Sequence, residues 1–344
     1  MTKSFQEQLN QIATDNQLHT RSLYIFSKMN QEALVAFRNI WPTIPSQRRR
    51  DIMQELVEIG EANFEVYFDP VFLLALGDED AEVRTAAING LWENEDPSLI
   101  GPLVHLLRTD DTVEVRAAAA SALGRFIYLG EIEEIDQHQA LLAEEALLDT
   151  IHHSAEDIEV RRRAVESVAF SSEPAVAQII ENAYYDENEK MQVSAIFAMG
   201  RSADPHWRPQ IIAELDNDNS EIRFEAARAS GELEASEAIA KLVELIADDP
   251  DLQVQEMAVW ALGRIGGPAA QESLEECLES EVESIVLAAE EALDEINLFS
   301  DSLSLFDFDD DDDDDWFDLD DTNGSAKPQR AAIRINLQSL ISNR

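Results

Sequence analysis

The sequence is poor in cysteine and in basic residues. Cys277 is the one cysteine among 344 residues, which excludes an intramolecular disulfide and a zinc site built from several cysteines. There are 25 Lys and Arg against 71 Asp and Glu, a formal net charge of -46. Such a charge argues against direct binding of nucleic acid or of an anionic membrane through a broad surface, and it favours basic partners.

The chain also lacks a long apolar run. Its first residues, MTKSFQEQLNQIATDNQ, contain no apolar signal core, and no stretch is long enough to span a bilayer. We therefore expect a cytoplasmic protein. Hydrophobic residues still make up 45% of the chain, which is enough for a long stacked core.

Motifs for chemistry are missing as well. No Gly-rich phosphate loop occurs, and no pattern suggests a Ser or Cys nucleophile with its base. His152 and His153 are adjacent, so on a helix they would not face one metal ion together. The sequence thus predicts no catalytic residue, no metal site and no cofactor.

What the sequence does contain is an internal repeat of about 31 residues. Each copy has an Asp-rich turn, an apolar anchor, usually an Arg, and then small residues that end near Leu-Gly. The anchors are Val83, Val115, Val160, Met191, Ile222, Val254 and Ile285. Their separations are 32, 45, 31, 31, 32 and 31, so an insertion lies between the second and third anchors. Such a repeat predicts an all-α solenoid of stacked antiparallel helix pairs, a fold that usually binds proteins.

Each repeat should begin with a short apolar helix, followed by an Asp or Asn that caps the second helix. Small residues of the second helix should allow neighbouring helices to approach closely. We interpret the Arg residues directly after the anchors as structural, each bonding a turn carboxylate of an adjacent repeat to form a ladder. These residues are Arg84, Arg116, Arg161 and Arg223.

The composition divides the chain into four parts. Residues 1–70 should form a helical cap with a degenerate first repeat, and 71–300 the repeat solenoid with its insertion near 130–156. Residues 301–321 hold 12 Asp and no basic residue, whereas 322–344 hold four basic residues and no acid. The formal charge of 1–300 is therefore -38. We expect 301–321 to be a disordered tail and 322–344 a short amphipathic segment, either a docking element or a frayed end.

The pattern D-x-(D)-x-x-V-R-x-x-A-A-x-A-L-G resembles HEAT repeats, and most of all the subclass named after phycobilisome lyases. The resemblance covers roughly residues 70–298. It implies that the second helices line the concave face, with the positions six and ten residues after each anchor pointing inward. It says little about function, because the same repeat carries scaffolds, lyase subunits and a metal hydroxylase.

These inward positions suggest an aromatic and Arg stripe across repeats four to six, a candidate groove for a partner. Aromatic and Arg side chains dominate binding hot spots. The alternative is that the Arg residues pair with neighbouring Glu or Asp. The predicted partner-binding residues are Phe197, Arg201, Phe224, Arg228, Trp260 and Arg264.

The Asp run 309–315 of the tail has three interpretations. It aids solubility alone, it recognises a basic protein surface, or it folds back on the concave face and competes with a partner. In the second case the flanking aromatic residues would supply apolar anchors. These are Phe306, Phe308, Trp316 and Phe317.

The sequence therefore predicts a noncatalytic scaffold or adaptor that binds a protein or peptide, preferably basic, with no cofactor, no direct nucleic-acid contact and no membrane contact. Two alternatives remain: a bilin chromophore lyase-like subunit, or an acidic chaperone that mimics nucleic acid for basic proteins. HEAT-type deoxyhypusine hydroxylases bind iron through His-Glu dipeptides, and no His-Glu pair occurs here.

Overall fold

The computed structural model describes residues 4–15 and 17–304, and this part of the chain is helical without strands. The helices are α1 Phe5–Thr14, α2 Thr20–Leu23, α3 Gln31–Ile40, α4 Ser46–Ala62, α5 Asp69–Ala75, α6 Ala81–Gly90, α7 Ile100–Thr109, α8 Val113–Glu131, α9 Gln137–His152, α10 Ile158–Val168, α11 Pro174–Tyr184, α12 Glu189–Arg201, α13 Arg208–Glu214, α14 Ser220–Glu232, α15 Ile239–Asp248, α16 Leu252–Ile265, α17 Gly267–Cys277 and α18 Glu283–Ser304. Within these residues no helix is both long and apolar enough to cross a membrane.

From α5 to α16 consecutive helices pack as pairs, and the second member of each pair packs on the second member of the next. The second members and the helices that continue their row at either end form what we call the second-helix row: α4, α6, α8, α10, α12, α14, α16 and α18. Each helix of the row from α4 to α14 contacts its successor, and Gly263 of α16 lies against Ala292 of α18. The predicted all-α solenoid is confirmed.

The repeat period is fixed by buried anchors. All seven predicted anchors, from Val83 to Ile285, are at most 3% exposed. All of them except Val254 belong to one continuous hydrophobic core that runs from the first helix to the last. Cys277 is also buried.

Acidic and amide side chains cap five helices of the second-helix row, as predicted, whereas α4 and α8 begin after Pro45 and Thr112 without a side-chain cap. The Asp80 carboxylate accepts hydrogen bonds from the backbone N–H groups of Glu82 and Val83 at the start of α6. Asp157, Asn188, Asn219 and Asp251 cap α10, α12, α14 and α16 in the same way. These bonds satisfy backbone donors that have no partner inside the helix.

The two irregular parts of the sequence also form helices. In the N-terminal region, α3 and α4 cover the stretch predicted to be a degenerate first repeat, and the ring of Phe37 lies edge-on to Phe26 and 4.8 Å from Trp41. The insertion lengthens α8 to 19 residues and α9 to 16. The last helix, α18, continues to Ser304. The predicted tail anchors Phe306, Phe308, Trp316 and Phe317 lie outside the described residues.

Candidate functional site

The Arg residues after the anchors form a ladder along the turns. Arg84 donates from Nε and Nη2 to the Asp110 carboxylate at 2.7 and 2.8 Å, and from Nη1 to the Asp78 carbonyl. Arg116 repeats this with the Glu156 carboxylate and the Asp110 carbonyl. Arg223 bonds the Asp249 carboxylate at 2.6 and 2.9 Å. We call these three residues and their acceptors the turn ladder.

The prediction that Arg161 belongs to the ladder is wrong. Arg161 donates instead to the Ile151 carbonyl in its own helix pair. Arg49 of α4 takes a place in the ladder that the degenerate first repeat concealed: it is 2% exposed and bonds Asp78 and Glu79. The ladder therefore begins one repeat earlier than the sequence pattern indicates.

The turn ladder shifts the acid–base equilibria of its members. Burial alone would raise the pKa of Asp110, but hydrogen bonds from Arg84 and from the Thr112 amide outweigh it and lower that pKa. Burial and Arg223 oppose each other in the same way at Asp249, and its pKa is also lowered. Both carboxylates are therefore charged in the folded chain at neutral pH. Their oxygens accept the hydrogen bonds of the turn ladder.

A second arrangement runs across the second-helix row. The ring of Phe170 lies 5.5 Å from that of Tyr128, centroid to centroid. The guanidinium of Arg201 lies over Phe170 at 4.9 Å and over Phe197 at 4.8 Å. Arg228 covers Phe197 at 3.8 Å. These five residues form what we call the aromatic–arginine stack, which joins α8 to α14 through side chains.

Carboxylates enclose the arginine end of this stack. Arg228 lies 2.8 Å from a carboxylate oxygen of Glu225 and 3.7 Å from one of Glu232. Burial alone would lower the pKa of Arg228, but these two carboxylates raise it. Burial lowers the pKa of Arg201, against the opposing effect of Glu232. Arg228 is only 4% exposed, so it faces the protein interior more than a partner.

The structure brings some of the predicted groove residues together and leaves others apart. Phe197, Arg201 and Arg228 meet in the stack. Trp260 is half-buried on α16, and its ring packs so closely on Gly231 of α14 that a Cβ there would lie 2.8 Å from the ring. Phe224 and Arg264 are half-buried on α14 and α16. The pairing of Arg228 with Glu225 is the arrangement that the alternative interpretation expects.

Other members of the site were not among the predicted partner-binding residues. Phe170 stands ten residues after its anchor, in the register of Arg201, so the predicted inward positions include it although it was not assigned to the groove. Glu225 and Glu232 stand three residues before and four residues after Arg228, a spacing that places them on its face of the helix. Tyr128 depends on the lengthened α8, which the repeat alone does not predict.

The described part of the chain offers no group of three or more His, Cys, Asp or Glu side chains placed to hold a metal ion. The aromatic–arginine stack thus combines aromatic rings with guanidinium groups whose positive charge is balanced by neighbouring carboxylates. Such a surface can contact a partner through the exposed edges of its rings.

A family model for HEAT repeats matches residues 69–143, 177–255 and 209–294, together more than half of the chain. The chain belongs to the HEAT-repeat family.

A deoxyhypusine hydroxylase of Candida albicans is 28% identical over 102 residues, which are 29% of this chain and 32% of that protein. The chain thus matches about a third of that relative's length. The complex of CpcE and CpcF of phycocyanin lyase from Nostoc is 20% identical, with a TM-score of 0.47, over 69% of this chain and 94% of that one. Human deoxyhypusine hydroxylase is 20% identical, with a TM-score of 0.35, over 78% and 96%. At these values neither structure carries a conclusion about the function of the chain.

Proposed function

We propose that the chain is a noncatalytic scaffold that binds a protein or peptide along the second-helix row, between α10 and α16. One observation carries the proposal: half-buried aromatic rings lie on a part of the row where ionic charge is balanced. Four Arg (162, 163, 201 and 228) and four Glu (159, 166, 225 and 232) form ion pairs or lie close together there. Phe197 lies under Arg201 and Arg228 in the stack, and the half-buried rings of Phe224 and Trp260 are the proposed contacts for a partner.

The balanced site sits in a strongly acidic chain, which bears on the choice of partner. A net charge of -46 attracts basic proteins from a distance and speeds their encounter, whereas contact energy comes from buried aromatic anchors. A basic partner with apolar side chains at its centre fits both features. The lyase-like subunit stays a prediction that no observation of the structure favours.

The groove is tested by the variant Phe224→Ala/Trp260→Ala. Arg228 is left intact, because its removal would strand buried carboxylates and destabilise the fold. The matched control is Phe64→Ala/Tyr185→Ala, two aromatic residues that are 68% and 71% exposed and lie outside the site. The readout is quantitative mass spectrometry of proteins retained by each bait from source-cell lysate in 0.5 M NaCl, with circular dichroism to check folding.

We expect the wild type and the control to retain the same discrete proteins. The amount of these proteins retained by the site variant should be about tenfold lower. Equal retention by all three baits would refute the groove. If every captured protein is released by the salt wash, binding rests on bulk charge, as in the acidic-chaperone alternative.

A further inference from the structure

The hairpin formed by α8 and α9 carries the insertion and departs from the other repeats. Its α9 has 16 residues, whereas the first helices of the other pairs have 7 to 11. Five extra residues lengthen a helix by roughly 7.5 Å. In repeat proteins such insertions map to one face of the stack, often the binding face.

The hairpin is firmly held in place. Phe126 and Leu129 of α8 are 0% and 4% exposed, and Gly130 lies against Ala140 of α9 with no room for a Cβ. Glu144 accepts a hydrogen bond from the Ser171 hydroxyl at 2.6 Å, inside the protein. A surface that is already ordered loses little conformational entropy when it binds.

Apolar side chains nevertheless point outward from this rigid hairpin. Ile132 in the connection is 44% exposed, and Leu141 and Leu142 at the start of α9 are 39% and 51% exposed. Their neighbours Ala140 and Ala143 on the same helix are buried, so the outward face is distinct from the packed one. We call the three exposed residues the hairpin tip.

The charge around the hairpin tip has one sign. Residues 126–160 contain no Lys or Arg at all. The acidic residues of this stretch are Glu131, Glu133, Glu134, Asp136, Glu144, Glu145, Asp149, Glu156, Asp157 and Glu159. Of the five nearest the tip, Glu131, Glu133, Glu134, Asp136 and Glu145, all are exposed. Charge complementarity therefore selects a partner whose apolar side chains are flanked by basic ones.

We propose that the hairpin tip is a docking surface for a basic amphipathic helix of a partner protein. An apolar stripe at i, i+3, i+4 and i+7 covers Leu141, Leu142 and Ile132, and the Lys or Arg residues beside it pair with Glu133, Glu134 and Glu145. This surface is separate from the groove on the second-helix row and does not depend on it.

The test uses a fluorescein-labelled 18-residue helical peptide with Leu at the apolar stripe and Lys elsewhere, titrated with the full chain in 150 mM NaCl. Fluorescence anisotropy gives its Kd for the wild type, for Leu141→Ser/Leu142→Ser, and for the control Leu73→Ser/Leu287→Ser. The control leucines are 44% and 53% exposed on other helices. We expect the Kd to rise about tenfold for the tip variant and less than about twofold for the control. Equal Kd values for all three proteins would overturn the proposal.

Hydrogen exchange with and without the peptide locates the contact independently. The proposal expects slower amide exchange between residues 129 and 145. Slower exchange confined to α10–α16 would overturn it and place the peptide in the groove of the second-helix row. Binding without local protection would also overturn it, because it would indicate diffuse attraction by the acidic chain.

Discussion

The arginines of this chain act in two different surroundings. In the turn ladder a guanidinium bonds a carboxylate of the next turn and a carbonyl of its own, so one side chain fixes the spacing of two repeats. In the aromatic–arginine stack the guanidinium lies on ring faces and is neutralised by buried carboxylates. Arg84 represents the first kind and Arg228 the second.

Replacing Arg84 by alanine should destabilise the solenoid markedly. Its side chain is 11% exposed and that of Asp110 is 5% exposed. The substitution removes the Arg84 donor from the Asp78 carbonyl and leaves the buried Asp110 carboxylate with the Thr112 amide but without its cationic partner. Breaking a buried pair in this way costs about 3–5 kcal/mol. Urea unfolding followed by circular dichroism measures the loss.

The matched control is Arg108→Ala. Arg108 also pairs with an aspartate, Asp149, at 2.9 Å, but the two side chains are 52% and 73% exposed. Water and salt screen such a pair, and its removal should cost no more than about 1 kcal/mol. Similar losses for the two variants would show that the ladder is no more stabilising than a surface ion pair.

At the scale of the helices, close approach depends on glycines of the second-helix row. A Cβ on Gly124 of α8 would lie 2.9 Å from Cβ and 3.0 Å from Cα of Ser167 on α10. Glycines of α12, α14 and α16 meet the next helix of the row at similarly short distances. The glycine of the Leu-Gly motif is therefore explained by helix packing.

We expect Gly124→Ala to destabilise the chain although alanine is the better helix former. The added methyl meets backbone atoms of α10 that cannot rotate away, and overpacking of this kind costs about 1–3 kcal/mol. Gly60→Ala on α4 is the control, since no atom beyond its chain neighbours and its own helix backbone lies within 4 Å of a Cβ at that position. There alanine should stabilise by about 0.5–1 kcal/mol. Thermal unfolding of both variants decides the question; a stabilised Gly124→Ala would contradict the packing argument.

The regular spacing of the anchors predicted the helix pairs. It could do so because every anchor is buried between stacked helices. The same pattern failed at Arg161, because α9 is longer than other first helices and presents the Ile151 carbonyl to it. It also missed the tie between Tyr128 and Phe170. Such contacts depend on the relative position of neighbouring helices, which a repeat pattern with an insertion leaves open.

At the scale of the molecule, repulsion among the excess acidic residues destabilises the folded state, whereas the ion pairs of the turn ladder stabilise it. The formal charge of residues 1–300 is -38, most of it exposed, whereas the ladder carboxylates Asp110 and Asp249 are 5% and 2% exposed. Salt screens exposed charges strongly and buried pairs much less. The repulsion should therefore weaken with salt while the ladder is retained.

This difference predicts the sign of the salt effect on stability. Raising NaCl from 20 to 500 mM, roughly from a 20 Å to a 4 Å screening length, should raise the Tm measured by differential scanning calorimetry. Glu187→Gln/Glu237→Gln removes two exposed negative charges, so it should raise the Tm at 20 mM NaCl and have little effect at 500 mM. A Tm that falls with salt would mean that attraction between exposed charges outweighs their repulsion. In that case the excess of acid would be arranged in local pairs across the surface, and the long-range attraction of basic partners would lose its physical basis.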